Sequence, residues 1–212
     1  MTLRLPHFGP RTCFLGTMGL DPPPAFPVLP AGLRVAPFKA PDLQALGPEA
    51  MDPAMTEHRL VCGDRPWGLW RGRDLLCYGW TSTQPTSILT MSMVVPGPRE
   101  AYFYGFYTPP RHRGHGYYPL LLRHISAQLG QEGHRRAWIA VFAENSASWK
   151  GVLKAGFQKA ATHVSLHGRV TWTLPEGEEP QPTLRPRRRG LHMEWRPASD
   201  AGGRRPSRLR LG

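Results

Sequence analysis

Arg111-His112-Arg113-Gly114-His115-Gly116 sits where an aromatic, strand-like run, Ala101 to Thr108, gives way to a helical pattern. Glycines at such a junction let the backbone approach a ligand closely. The free amides of a helix start, with the positive end of its dipole, attract anions. Arg111 and Arg113 add positive field, so the hexad is a candidate phosphate cradle. After it, Tyr117, Leu120, Leu121, His124, Ile125 and Leu129 recur at i, i+3, i+4, i+7 spacing, which marks one buried helix face, and Gly130 is the expected stop. Pro119 is no obstacle, because a proline in the first helical turn removes only an amide without a partner.

Working outward, Ala137-Trp138-Ile139-Ala140-Val141-Phe142-Ala143 is short and continuously apolar, which predicts a central strand covered on both faces. A second helix is predicted from Ser146 to Ala155, with Asn145 or Ser146 as N-cap and Gly156 as its stop, and Phe157 opens the next strand. Upstream, Trp67 to Arg71 and Leu75 to Thr81 read as two antiparallel strands around a turn at Gly72 to Asp74, and Ser87 to Val95 as a further strand. Trp70, Trp80, Tyr102, Tyr104 and Tyr107 either fill the core or offer aromatic faces to a bound amine.

Several of these pieces occur together: Thr108-Pro109-Pro110, Arg111-x-x-Gly114-x-Gly116 opening a helix, a strand ending in Glu144-Asn145, then Ser148, Lys154 and Gly156-Phe157. The combination resembles the GNAT superfamily of acyl-CoA-dependent N-acyltransferases. That family's hallmark is an Arg/Gln-x-x-Gly-x-Gly/Ala turn on the pyrophosphate of coenzyme A, followed by an Asn-bearing strand end and a helix closing in Gly-Phe. The resemblance covers about residues 31 to 175, with Leu33 to Phe38 similar to the family's first strand and Ala40 to Ala45 to the start of its first helix.

The resemblance implies an α/β (α+β) fold: a mixed, mostly antiparallel twisted sheet with a central splay, flanked by helices on both faces. It implies an N-acetyltransferase that moves an acetyl group from acetyl-CoA to a primary amine by direct attack in a ternary complex. Gly114, His115 and Gly116 would supply amides to the phosphates, Arg111 and Arg113 charge, and Lys150 or Lys154 would reach the outer phosphate. The backbone around Tyr107 and Thr108 would bind the pantetheine arm, with Asn145 the matching side chain from the other strand. Relatives often face the thiol with a Tyr on the last helix, where this chain has Val152; Ser148 or Ser146 offers a hydroxyl instead. Glu144 is the carboxylate candidate for the general base, with Tyr104 or a water relay as competitors. Two other readings stay open: a catalytically degenerate GNAT-like interaction module with a basic tail on nucleic acid, and transfer of a longer acyl group.

Composition fits one domain with ragged ends, because 24 Pro and 23 Gly in 212 residues concentrate outside the periodic parts. Residues 1–30, with Pro22-Pro23-Pro24, Pro27 and Pro30, are expected to be a flexible extension without a signal or membrane segment. Residues 176–212 are expected to be a disordered Arg/Pro-rich tail. From Gln181 onward nine Arg stand against Glu194 and Asp200, so most of the net charge of +12 belongs to that tail, which could hold nucleic acid or stay solvated. Cys13, Cys62 and Cys77 are odd in number and widely spaced, which argues for a reducing cytoplasm and against a zinc ribbon. His112, His115, His124 and His134 lack an acidic or Cys companion, so no metal site is expected. No phosphate-binding Gly-Lys-Ser/Thr, Gly-x-Ser-x-Gly elbow or internal repeat is present, and the sequence leaves monomer and homodimer equally open.

Overall fold

A computed structural model describes residues 11–44, 46, 52–84, 86–88, 92–166, 170–175, 182–187 and 190–195. The chain opens with β1 (Arg11–Gly19) and β2 (Leu33–Ala36), then α1 (Ala40–Gln44) and α2 (Pro53–Val61). The pair β3 (Arg65–Arg71) and β4 (Asp74–Ser82) follows, then the short β5 (Thr86–Ile88) and β6 (Ser92–Val95). Next come β7 (Glu100–Tyr107), α3 (Tyr117–Gln131), β8 (Arg136–Phe142) and α4 (Ser146–Lys154). The last strands are β9 (Gln158–Leu166), β10 (Val170–Pro175), β11 (Pro182–Arg187) and β12 (Gly190–Trp195).

Eight strands form one open sheet in the order β10-β9-β1-β8-β7-β4-β3-β2. Every neighbouring pair in it is antiparallel except β7 and β8, which run parallel and pair only from Glu100↔Arg136 to Phe103↔Ile139. Beyond Phe103 the two strands part: β7 continues to Tyr107 beside β4, and β8 to Phe142 beside β1. A bulge marks the parting. The register slips between Tyr78 and Trp80, and Gly105 sits at φ +62°, a left-handed conformation that suits glycine. This is the expected mixed, mostly antiparallel sheet with a central splay.

Alternation along the strands assigns the two faces. Trp67, Leu69, Phe103, Ala137, Ile139 and Val141 pack with Tyr117, Leu121, Leu122 and Ile125 of α3 and with Val152 of α4. On the opposite face, Trp70, Tyr78 and Trp80 pack with Leu43 of α1 and with Phe38 just before it. Burying Trp80, Phe103, Leu121 and Ile125 completely is the main stabilising term, at about 25 cal/mol per Å² of apolar surface. The core reading of Trp70, Trp80 and Tyr102 therefore holds, while Tyr104 and Tyr107 stay half-buried.

Four expectations need correction. Residues 11–19 are not a flexible extension: they insert as β1 between β8 and β9, with Cys13 opposite both Phe142 and His163. The run Thr12-Cys13-Phe14-Leu15 buries Cys13 and Leu15 there, an apolar gain that outweighs the proline-rich surroundings. Residues 182–187 and 190–195, expected to be disordered, are strands of a second sheet, β11-β12-β6-β5. The single strand expected over Ser87 to Val95 is two short ones, β5 and β6, paired antiparallel in that second sheet. Gly130 does not end α3, which runs to Gln131, with Gly133 (φ +88°) following it. Gly130 is instead a contact point, since a Cβ there would lie 3.0 Å from the Leu20 carbonyl oxygen and from Pro23. The sequence reading also missed α2, whose signal is Asp52-Pro53: Asp52 Oδ1 accepts from the Ala54 N–H at 2.7 Å, and proline opens the helix.

Candidate active site

The splay opens into a cavity of about 660 Å³ between the end of β7 and the N-terminal ends of α3 and α4. Its walls carry Arg113, Lys150 and Lys154, and among the described residues that line it none is acidic. Both helix starts aim unsatisfied N–H groups and a positive dipole end into the region, so charge and backbone favour a polyanion there. Phe106, Tyr118 and Pro119 give the same cavity an apolar wall.

The turn before α3 has a backbone that only glycine holds without strain. Gly114 and Gly116 adopt φ +82° and +76°, and Gly116 is the N-cap of α3. A Cβ at either would meet nothing within 4 Å, so the requirement is for left-handed backbone and open approach rather than for lack of room. At the start of α4, Asn145 Oδ1 accepts from the Ser148 N–H at 3.1 Å. Its cap is thus built, and its amide nitrogen is the group left to serve a ligand.

Of the residues picked from sequence, the cavity brings together Tyr107, Thr108, Arg113, Gly114, Gly116, Asn145, Ser148 and Lys154, with Lys150. Five do not join it: Arg111, His115, Glu144, Tyr104 and Ser146. Arg111 turns away to Asp74, with Nη2 3.2 Å from Oδ1 in an exposed ion pair. His115 is exposed, stacked on Tyr117 at 5.4 Å. Glu144 is exposed in the turn between β8 and α4, on the side of Cys13, whose thiol is pushed up to about 12 by burial and then by this carboxylate. Tyr104, the competing base, donates to Asp64, a buried carboxylate, and neither lines the cavity.

Both glycines of Arg111-x-x-Gly114-x-Gly116 line the cavity, and the arginine that stands with them there is Arg113, inside the motif, rather than Arg111. Sequence reasoning passed over Tyr118, Phe106 and Gly151, all in the wall. Helical spacing could have found the first, since Tyr118, Leu122 and Ile125 fall at i, i+4, i+7.

A family model described as acetyltransferase (GNAT) family matches residues 41–157, more than half of the chain. The chain belongs to the GNAT acetyltransferase family. Among solved structures, a Drosophila protein is 16% identical, with a TM-score of 0.53 over 78% of this chain and 51% of its own. A GNAT-family acetyltransferase from Colwellia psychrerythraea is 14% identical, with a TM-score of 0.51 over 77% and 56%. A GCN5-related N-acetyltransferase from Sphaerobacter thermophilus is 16% identical, with a TM-score of 0.50 over 75% and 52%. At such identities the likeness is one of fold, and the chain spans about half the length of these neighbours. A search of curated proteins returns no match. GNAT membership supports acyl transfer as the chain's general chemistry. Among the described residues no helix is long and apolar enough to cross a membrane, and no three His, Cys, Asp or Glu side chains cluster as a metal site would require.

Proposed function

We propose that this GNAT chain transfers an acetyl group from acetyl-CoA to a primary amine by direct attack. The observation that carries the reading is the cavity itself: three cations, two helix starts and a glycine turn at one wall, an apolar wall beside them, and no acid among the described lining residues. Coenzyme A has that division of chemistry, with phosphates at one end and a neutral, peptide-like arm ending in sulfur at the other. Arg113 with the amides of Gly114 and Gly116 would hold the pyrophosphate, Lys150 and Lys154 the outer phosphate, and the backbone of Tyr107 and Thr108 with Asn145 the arm. The Arg111 and His115 side chains lie outside the cavity's lining, while the His115 backbone amide, between the two glycines, would join theirs on the pyrophosphate.

A direct attack needs an amine that has lost its proton, because an alkylammonium near pKa ~10 has no lone pair at neutral pH. With Glu144 outside the cavity and no acid among the described lining residues, a water relay is the route these residues support. Neither buried cysteine competes as an acyl carrier, since burial holds the thiols of Cys13 and Cys77 up to about 12 and hence protonated. The test is release of free coenzyme A thiol from acetyl-CoA in the presence of a panel of amines: an amino sugar, an amino acid, a polyamine and a lysine peptide. Acetylation of at least one amine is expected, and failure of all four alongside acetyl-CoA binding would favour the non-catalytic module.

A further inference from the structure

Val152, at the place where relatives carry the phenol that meets the thiol, is fully buried in the core and has no proton to give. The neighbouring residue on α4, Gly151, is also informative. A Cβ there would stand 2.5 Å from Cδ1 and 2.8 Å from Cε1 of Tyr118, so the glycine leaves room on α4 for a ring supplied by α3. Phe106 holds that ring from the β7 side, with centroids 5.5 Å apart. Phe106 is itself seated over Gly79, where a Cβ would meet its ring at 2.2 Å. Two glycines on separate elements thus accommodate one aromatic pair in the cavity wall.

Ser148 Oγ lies 3.3 Å from Tyr118 Oη at the end of the ring; with Ser148 as the donor, this bond uses an oxygen lone pair and leaves the phenol's own proton for another acceptor. Tyr118 lines the cavity two residues beyond the glycine turn, where phosphate binding does not require a hydroxylated ring, so its hydroxyl calls for a reason of its own.

We propose that Tyr118, presented by α3 and steadied by Ser148, hands its proton to the departing sulfur of the acyl thioester, the part Val152 cannot play. This rests on the acyltransferase reading above. The amine nitrogen bonds to the acyl carbon, the carbon–sulfur bond breaks with its electron pair on sulfur, and sulfur takes the Tyr118 proton. The phenolate recovers a proton from Ser148, which water resupplies, and the amine's surplus proton leaves to water. Burial keeps the phenol well above its ordinary range, so it is protonated at neutral pH, and the same dry surroundings raise the basicity of a thiolate beside it.

The experiment needs no acceptor. Coenzyme A is titrated into the intact protein and into Tyr118→Phe by calorimetry. The pKa of the bound thiol is then read from thiolate ultraviolet absorbance, with the desulfo analogue as blank. A phenol donating to the thiolate lowers that pKa, and it should rise by about one unit or more in Tyr118→Phe, with affinity little changed. Difluorotyrosine incorporated in place of Tyr118, a stronger acid of nearly the same shape, should lower it further and covers a failure of the phenylalanine variant to fold. Equal thiol pKa values in all three proteins overturn the proposal, as does loss of binding in Tyr118→Phe alone, which would make Tyr118 a binding residue. Absence of binding by the intact protein removes the acyltransferase reading itself, a distinct result.

Discussion

Arg111 and Arg113 are chemically alike and two residues apart, yet only one serves the cavity. Asp74, at the start of β4, takes Arg111 as an exposed pair, while Arg113 Nε donates to the Thr108 carbonyl at 3.0 Å and stays at the wall. A motif read from sequence cannot make that choice, because it depends on a carboxylate 37 positions away. Similar reasoning applies to His163, which is 5% exposed in β9. Burial disfavours its charged form, so its folded pKa lies below the ordinary ~6.5. Above pH ~6.5 it is neutral in both folded and unfolded chains; as pH falls through that value the unfolded chain takes up a proton that the fold resists, and stability is lost. The unfolding midpoint should therefore drop between about pH 7.5 and 5.5, less steeply in His163→Phe. Identical slopes in the two proteins would contradict this.

At the scale of elements, α3, β8 and α4 were legible because each has one unambiguous period or run, bounded by Gly116, Asn145 and Gly156. β1 was not, since its nine residues are flanked by proline-rich sequence and its partners lie 117 or more positions downstream. Its importance to the site follows from Gly16, where a Cβ would be 3.0 Å from Ile139 Cγ2 and 3.4 Å from both Trp149 and Val152. Glycine there lets α4 lie close on the sheet. Gly16→Val should push α4 outward, costing roughly 1–3 kcal/mol in urea unfolding, and should weaken acetyl-CoA binding by displacing Ser148, Lys150 and Lys154 together. Destabilisation with unchanged binding would show that α4's seat and the site are independent.

Over the whole molecule, the splay was foreseen only through family resemblance, because no local pattern announces where two parallel strands stop pairing. The structure locates it at Phe103, followed by the Gly105 bulge, and the cavity opens where β7 and β8 part. Charge distribution was legible only in part: the sequence places most of the basicity beyond Gln181, yet the three cations at the cavity are earlier residues, Arg113, Lys150 and Lys154. The central claim is that this cationic cavity holds acetyl-CoA. The direct measurement is calorimetric titration of acetyl-CoA into the intact chain and into an Arg113→Ala, Gly114→Asp double variant, at moderate salt that screens the arginine-rich end. The account predicts saturable one-to-one binding that weakens at least ~10-fold in the variant, from a lost charged hydrogen bond and a carboxylate placed against phosphate. No binding by the intact chain, or equal binding by both, would contradict it.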